Sequence, residues 1–134
     1  MDSKSMNFGP ATAYGDSDDS GQEQVVVVSG WFAAGEFEEA RGTLELRALT
    51  DANLEVRLVL QLANSPHDAS FVNVAVGPWR STEGIHYPDD WTGIVNSTKN
   101  KQIGRVCIEG RKKTGTGDGL ALVTVLGRMD LKTC

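Results

Sequence analysis

An alternating stretch at residues 52–64, ANLEVRLVLQLAN, limits the folds open to this chain more than any other segment. Apolar residues occupy every second position, and the positions between them are mostly polar. The apolar row is Leu54, Val56, Leu58, Leu60 and Leu62, and the other row is Glu55, Arg57, Val59 and Gln61. A period of two is typical of a β-strand with one face on a core, whereas a helix would spread these leucines around its circumference. Val59, the apolar exception in the polar row, favours a face that is covered in an assembly.

Similar segments recur along the chain, and turn-forming residues separate them about every 8 to 12 positions. Strands are predicted at 25–29, 43–49, 54–63, 71–76, 91–95, 103–109 and 120–131. The run of four valines that begins at Val25 is interpreted as a strand buried on both faces. Residues 77–90 are interpreted as a long loop. With no convincing helical pattern, the sequence predicts an all-β fold, an antiparallel jelly-roll-like sandwich of about seven to eight strands.

The totals agree with one domain of ordinary composition. The chain has 134 residues, 40% of them apolar and 23% charged, which is enough to bury a single core. A net charge of −5 argues against a general nucleic-acid binder. No apolar run reaches the roughly 20 residues needed to span a membrane, and the first residues lack an apolar signal core. We therefore expect a cytoplasmic or virion location, with Cys107 and Cys134 as free thiols.

The N-terminal residues 1–24 form a second region, polar and acidic, ahead of a sandwich domain at 25–134. Such a segment buries too little apolar area to order itself, so we expect an extended arm that is ordered by a neighbouring subunit. Its candidate partner-binding residues are Phe8, Pro10, Tyr14, Asp16, Asp18 and Asp19.

A run of cations near the other end of the chain complements this arm. Its members are Lys99, Lys101, Arg105, Arg111, Lys112 and Lys113. One interpretation is a basic surface on which the acidic arm of the next copy docks, giving a homo-oligomer. The other is an ordinary solvated surface.

Three aromatic residues, Trp79, Tyr87 and Trp91, lie close together in the sequence. Exposed, they would stack on a sugar ring or anchor a protein partner, and buried, they would close one end of the sandwich. Neither the acidic run from Asp16 nor the histidines His67 and His86 has the spacing of a known metal site. No nucleophile motif is present. We therefore predict no cofactor, no metal site and no enzymatic activity.

The segment LEVRLVLQLANSPHDASFVNV resembles jelly-roll modules of discoidin-like carbohydrate-binding domains and of phage virion accessory proteins. The resemblance lies in a strand that ends in Leu-Gln, a short polar loop, an aromatic residue and a returning strand, and it extends over about residues 25–131. The residues that carry it are Leu60, Gln61, Asn64, Ser65, Asp68, Phe71 and Val74. It implies the sandwich fold and assigns no functional residue.

Taken together, these features predict a non-enzymatic structural subunit of a larger assembly, such as a capsid decoration or head–tail accessory protein of a phage. Its partners would be copies of itself or other capsid or tail proteins, with no membrane and no direct nucleic-acid contact. The alternative is a carbohydrate-binding module that uses the three aromatic residues and binds a glycan.

Overall fold

The structure, a computed structural model, describes residues 3–16, 23–67, 71–88, 90–94, 101–113 and 119–133. Ten β-strands occupy this part of the chain. They are β1 (Ser3–Gly15), β2 (Gln24–Val27), β3 (Phe32–Ala33), β4 (Glu39–Arg47), β5 (Leu54–Ala63), β6 (Val72–Arg80), β7 (Gly84–His86), β8 (Thr92–Gly93), β9 (Ile103–Lys112) and β10 (Ala121–Lys132). Over the same residues, no helix is long and apolar enough to cross a membrane.

The strands form two antiparallel sheets that pack face to face. Sheet A has the order β1-β10-β4-β7, with β8 also paired to β4. Sheet B has the order β2-β9-β5-β6, with β3 also paired to β9. The first strand lies beside the last in sheet A, and the second lies beside the last but one in sheet B. This wrapped order is that of a jelly roll, so the predicted all-β sandwich is confirmed.

The alternating row of β5 lies in the centre of the core. The strand begins and ends where the sequence predicts, and all five members of the row are at most 1% exposed. Across the core, Gly42 of β4 faces Leu58. A Cβ atom at position 42 would overlap the Leu58 Cδ2 methyl group. The missing side chain of Gly42 therefore provides the space that the branched end of Leu58 fills.

Residues 3–15 belong to the sandwich. They form the edge strand β1, which is paired along its length with β10, and the register shifts between Phe8 and Ala11. Phe8 is 7% exposed and Ala13 is fully buried, and both belong to the core. This differs from an arm held outside the domain, because main-chain pairing with β10 and two buried side chains order a segment of low apolar content.

Two other sequence interpretations need correction. The valine run is the edge strand β2, which has a neighbour on one side only. Val25 and Val27 are 46% and 45% exposed because they share the outer face of sheet B with their paired residues Glu109 and Cys107. The predicted loop at 77–90 contains the second half of β6 and all of β7. Gly77, with a φ of 100°, and Pro78 interrupt the pairing of β6 with β5 but do not end the strand.

We predict that Gly42→Ala lowers the free energy of unfolding by about 1–3 kcal/mol, the usual cost of overpacking a core. Chemical denaturation monitored by circular dichroism measures it. The matched control is Gly30→Ala, since a Cβ atom at position 30 would have nothing within 4 Å. Equal stability of the two variants would contradict the packing of Gly42 against Leu58.

Candidate interaction surfaces

The centre of the outer face of sheet B is covered by its own side chains. Val59 and Cys107 are paired residues on this face, at most 1% exposed although neither belongs to the core between the sheets. A bonded pair lies on each side of them. Arg57 Nε donates to Glu109 Oε1 at 2.7 Å, and Arg105 Nε donates to Gln61 Oε1 at 2.8 Å.

Together these side chains form a polar lattice over Val59 and Cys107. Tryptophan rings lie against its arginines at both ends. The guanidinium carbons of Arg57 and Arg111 lie 4.5 and 3.9 Å from the centre of the Trp79 ring. Arg105 lies 4.5 Å from the centre of the Trp31 ring. Each such contact contributes about 0.5–1 kcal/mol at exposed sites and more where water is excluded. The chain itself therefore covers Val59, and no partner is needed to explain this apolar residue in a polar row.

Burial under these side chains also determines the reactivity of the Cys107 thiol. Burial raises the pKa of Cys107 to about 11, and the nearby Arg105 guanidinium opposes this only in part. A thiol with such a pKa stays protonated near neutral pH, where it is a poor nucleophile.

Among the described residues, the predicted run of cations does not form one basic surface. Strand alternation sends Arg111 and Lys112 to opposite faces of β9. Arg111 lies on the outer face, 3.7 Å from Glu55 and 3.9 Å from Glu23. Lys112 is 2% exposed, and its Nζ lies 3.7 Å from Asp51 Oδ2. Acidic groups of the same chain therefore neutralise these two cations.

Sheet A presents a second polar lattice on its outer face, centred on the buried carboxylate of Asp130. Ser5 Oγ donates to it at 2.7 Å, and Arg128 Nε and Arg41 Nε lie 3.1 and 3.5 Å from its two oxygens. Arg41 also lies 4.3 Å from the centre of the Trp91 ring. This lattice joins the three strands β1, β10 and β4.

An open groove of about 560 Å³ runs beside this lattice on sheet A. Ile85 and Tyr87 line it and are 52% and 69% exposed, and its charged lining residues are Arg41, Glu45 and Arg128. Large exposed apolar side chains next to cations favour a protein contact over bulk water.

The structure separates the three aromatic residues of the sequence analysis. Trp79 lies against cations of sheet B, and Trp91 lies against Arg41 and Lys132 of sheet A. Both rings are partly buried, and Tyr87 is the exposed member of the group. The three residues therefore do not form one stacking platform.

The remaining predicted residues lie in several places. Pro10 and Asp16 are exposed, and Tyr14 is half-buried opposite Leu122 of β10. Lys101 is half-buried and Lys113 is exposed, at the two ends of β9. Asp18, Asp19 and Lys99 lie outside the described residues. Within the described residues, no group of three or more His, Cys, Asp and Glu side chains could hold a metal ion.

Sequence reasoning missed Trp31, Arg41, Ile85, Arg128 and Asp130. Alternation contained a signal for Arg41, because residues 39, 41, 43, 45 and 47 form the outer row of β4. That signal was lost because the strand was predicted to begin at Thr43. The contacts of Asp130 with Arg41 of β4 and Ser5 of β1 depend on sheet order, which no local pattern gives.

Comparisons with known proteins extend this description at the level of the fold. No protein-family model matches the chain, and no curated protein matches its sequence. Among solved structures, a chain of infectious bursal disease virus strain Gx is similar over 97% of this chain, with a TM-score of 0.58 and 11% identity. A chain of the Gt strain is similar over 98%, with a TM-score of 0.59 and 13% identity. The chain spans 32% of the length of each viral chain. At this identity the likeness establishes the fold.

We predict that the buried thiol gives the protein a measurable loss of stability at alkaline pH. Between about pH 9 and 11 the unfolded chain releases the Cys107 proton while the folded chain retains it, so the free energy of unfolding falls as pH rises. The measurement is denaturant unfolding from pH 8 to 11 in a Cys134→Ser background, with Cys107→Ala as the matched variant. A shallower slope in the Cys107→Ala variant is expected, and identical slopes would contradict the burial of this thiol.

Proposed function

We propose that this chain is a non-enzymatic structural subunit of a virus particle that assembles with other protein subunits. The observation that carries the proposal is its likeness, over nearly its whole length, to part of a chain in two virus structures. A jelly roll suits such a role because two rigid sheets present broad faces and strand edges to neighbours.

The chemistry of the outer faces supports a structural role. The buried carboxylates of Glu109 and Asp130 hold one arginine each of a neighbouring strand in place, Arg57 and Arg41. The Cys107 thiol is kept neutral by burial. These titratable groups stabilise the sheets, as expected in a structural protein. Within the proposal, the chain is a capsid decoration or head–tail accessory protein of a phage.

In this proposal, subunits dock by exchanging the N-terminal strand β1. β1 is a terminal strand of its sheet, and its contacts with β10 are the same whether β10 belongs to its own chain or to a neighbour. Exchange of β1 between copies would keep the burial of Phe8 and Ala13 while linking subunits. Arm exchange is thus the proposed route to a homo-oligomer.

The first measurement is the size of the full chain by sedimentation velocity and electron microscopy. We expect closed oligomers at micromolar concentrations, since standard-sized interfaces of about 1,600 Å² support micromolar or tighter binding. A chain that stays monomeric up to about 1 mM would contradict self-assembly, because that limit leaves less than about 4 kcal/mol of association energy. Glycan binding that is lost on Trp79→Ala and Trp91→Ala would instead favour the carbohydrate-binding alternative.

The second measurement tests arm exchange in the same preparation. Thr12 and Thr124 are paired residues of β1 and β10, so a Thr12→Cys/Thr124→Cys variant in the Cys134→Ser background joins these strands on oxidation. A denaturing gel then shows covalent dimers or larger species where strands are exchanged. Covalent monomers alone, from an assembled sample, would contradict arm exchange.

A further inference from the structure

The outward edge of β6 differs from the other sheet edges among the described residues. Edge strands leave unpaired main-chain groups, and proteins block them with short strands, charges, prolines or bulges. β2, β3, β7 and β8 have four residues or fewer. β1 contains Lys4, Pro10 and a shift of register.

β6 lacks these features over its first half. Val72 to Val76 pair with β5 in unbroken register, and the described strands include none on their other side. The segment from Phe71 to Gly77, FVNVAVG, carries no charge and no proline. Phe71 and Val72 are 40% and 37% exposed. Within the described part of the chain, this edge is open, regular and uncharged.

The β6 edge of one copy also complements the same edge of a second copy. Two copies placed antiparallel about a two-fold axis at Val74 would pair Val72 with Val76, Asn73 with Ala75, and Phe71 with Gly77. Phe71 and Gly77 flank the regular segment Val72–Val76, and in this register they lie opposite each other. A Cβ atom at Gly77 would have nothing within 4 Å, so space is open above this glycine.

An aromatic ring placed over a glycine of the neighbouring strand is a stabilising cross-strand pair. A shift of two residues in either direction would remove Phe71 from Gly77. Because the segment is uncharged, the two copies meet without like-charge repulsion. These observations favour a second copy of the same strand over a charged segment.

We propose that two copies of this chain pair antiparallel through β6, centred on Val74, and so join their B sheets into one continuous sheet across a two-fold axis. The partner is a second copy of the chain. The inference rests on the proposed function, because it describes one contact within that assembly. The geometry of the contact is argued from β6 alone.

The test is a register-specific cross-link between two single variants. Asn73→Cys and Ala75→Cys are prepared separately in the Cys134→Ser background and then mixed in equal amounts with oxidised glutathione. Residue 73 of one copy lies opposite residue 75 of the other, so the mixture is expected to form a disulfide between the two variants. The two thiols lose their protons, and their two electrons reduce the glutathione disulfide. Each variant alone places its cysteines diagonally and is expected to cross-link several-fold less.

A mixture that cross-links no better than the separate variants would overturn the proposal. If such a mixture still contains large oligomers, the pairing of β6 fails while the structural role stands. If the mixture cross-links into dimers while the Thr12→Cys/Thr124→Cys variant gives covalent monomers alone, the pairing of β6 is supported and arm exchange fails.

A second variant tests the same edge without a cross-link. Ala75→Lys places a charge on an exposed position of β6 and is expected to raise the dimer dissociation constant about tenfold or more, as charges on edge strands do by opposing pairing. The matched control is Ala33→Lys, an exposed alanine on β3 of the same sheet. Circular dichroism confirms that both variants fold. Equal dissociation constants for the two variants would overturn the proposal.

Discussion

The sandwich depends on burying the alternate residues of β5 between the two sheets. Each of these large apolar side chains stabilises the fold by about 1.5–3 kcal/mol when fully removed from water. Their packing requires complementary shapes on the opposite sheet, as the space left by Gly42 for Leu58 illustrates. Once this row fixes which face of sheet B points inward, the pairing of β9 and β6 with β5 fixes the faces of those strands as well.

The same alternation builds the outer faces. Residues such as Arg57 and Glu109 are forced outward by their neighbours in the core, and they meet across strands at hydrogen-bonding distance. Stacking on Trp79 then excludes water from Val59 and Cys107. Sheet A has a similar set of ion pairs on its outer face, around Asp130. Both faces therefore carry polar lattices across their strands, and our proposals place partner contacts at the strand edges.

The sequence predicted the elements whose patterns are local. The bounds of β5 were right, and so was the placement of its apolar row on the core. β1 was not recognised as a strand, because most of its residues are small or polar and its order comes from β10. The exposure of Val25 and the separation of Trp79 from Trp91 depend on sheet order, which comes from distant parts of the chain.

We propose that this jelly roll is an assembly subunit whose open strand edges carry the contacts. Hydrogen–deuterium exchange of the full chain, compared between dilute and assembled samples, tests it most directly. We predict that amides of residues 71–77 exchange more slowly in the assembled sample, while those of β5 and β9, already bonded on both sides, are unchanged. Exchange that is identical at every segment in the two samples would contradict the claim.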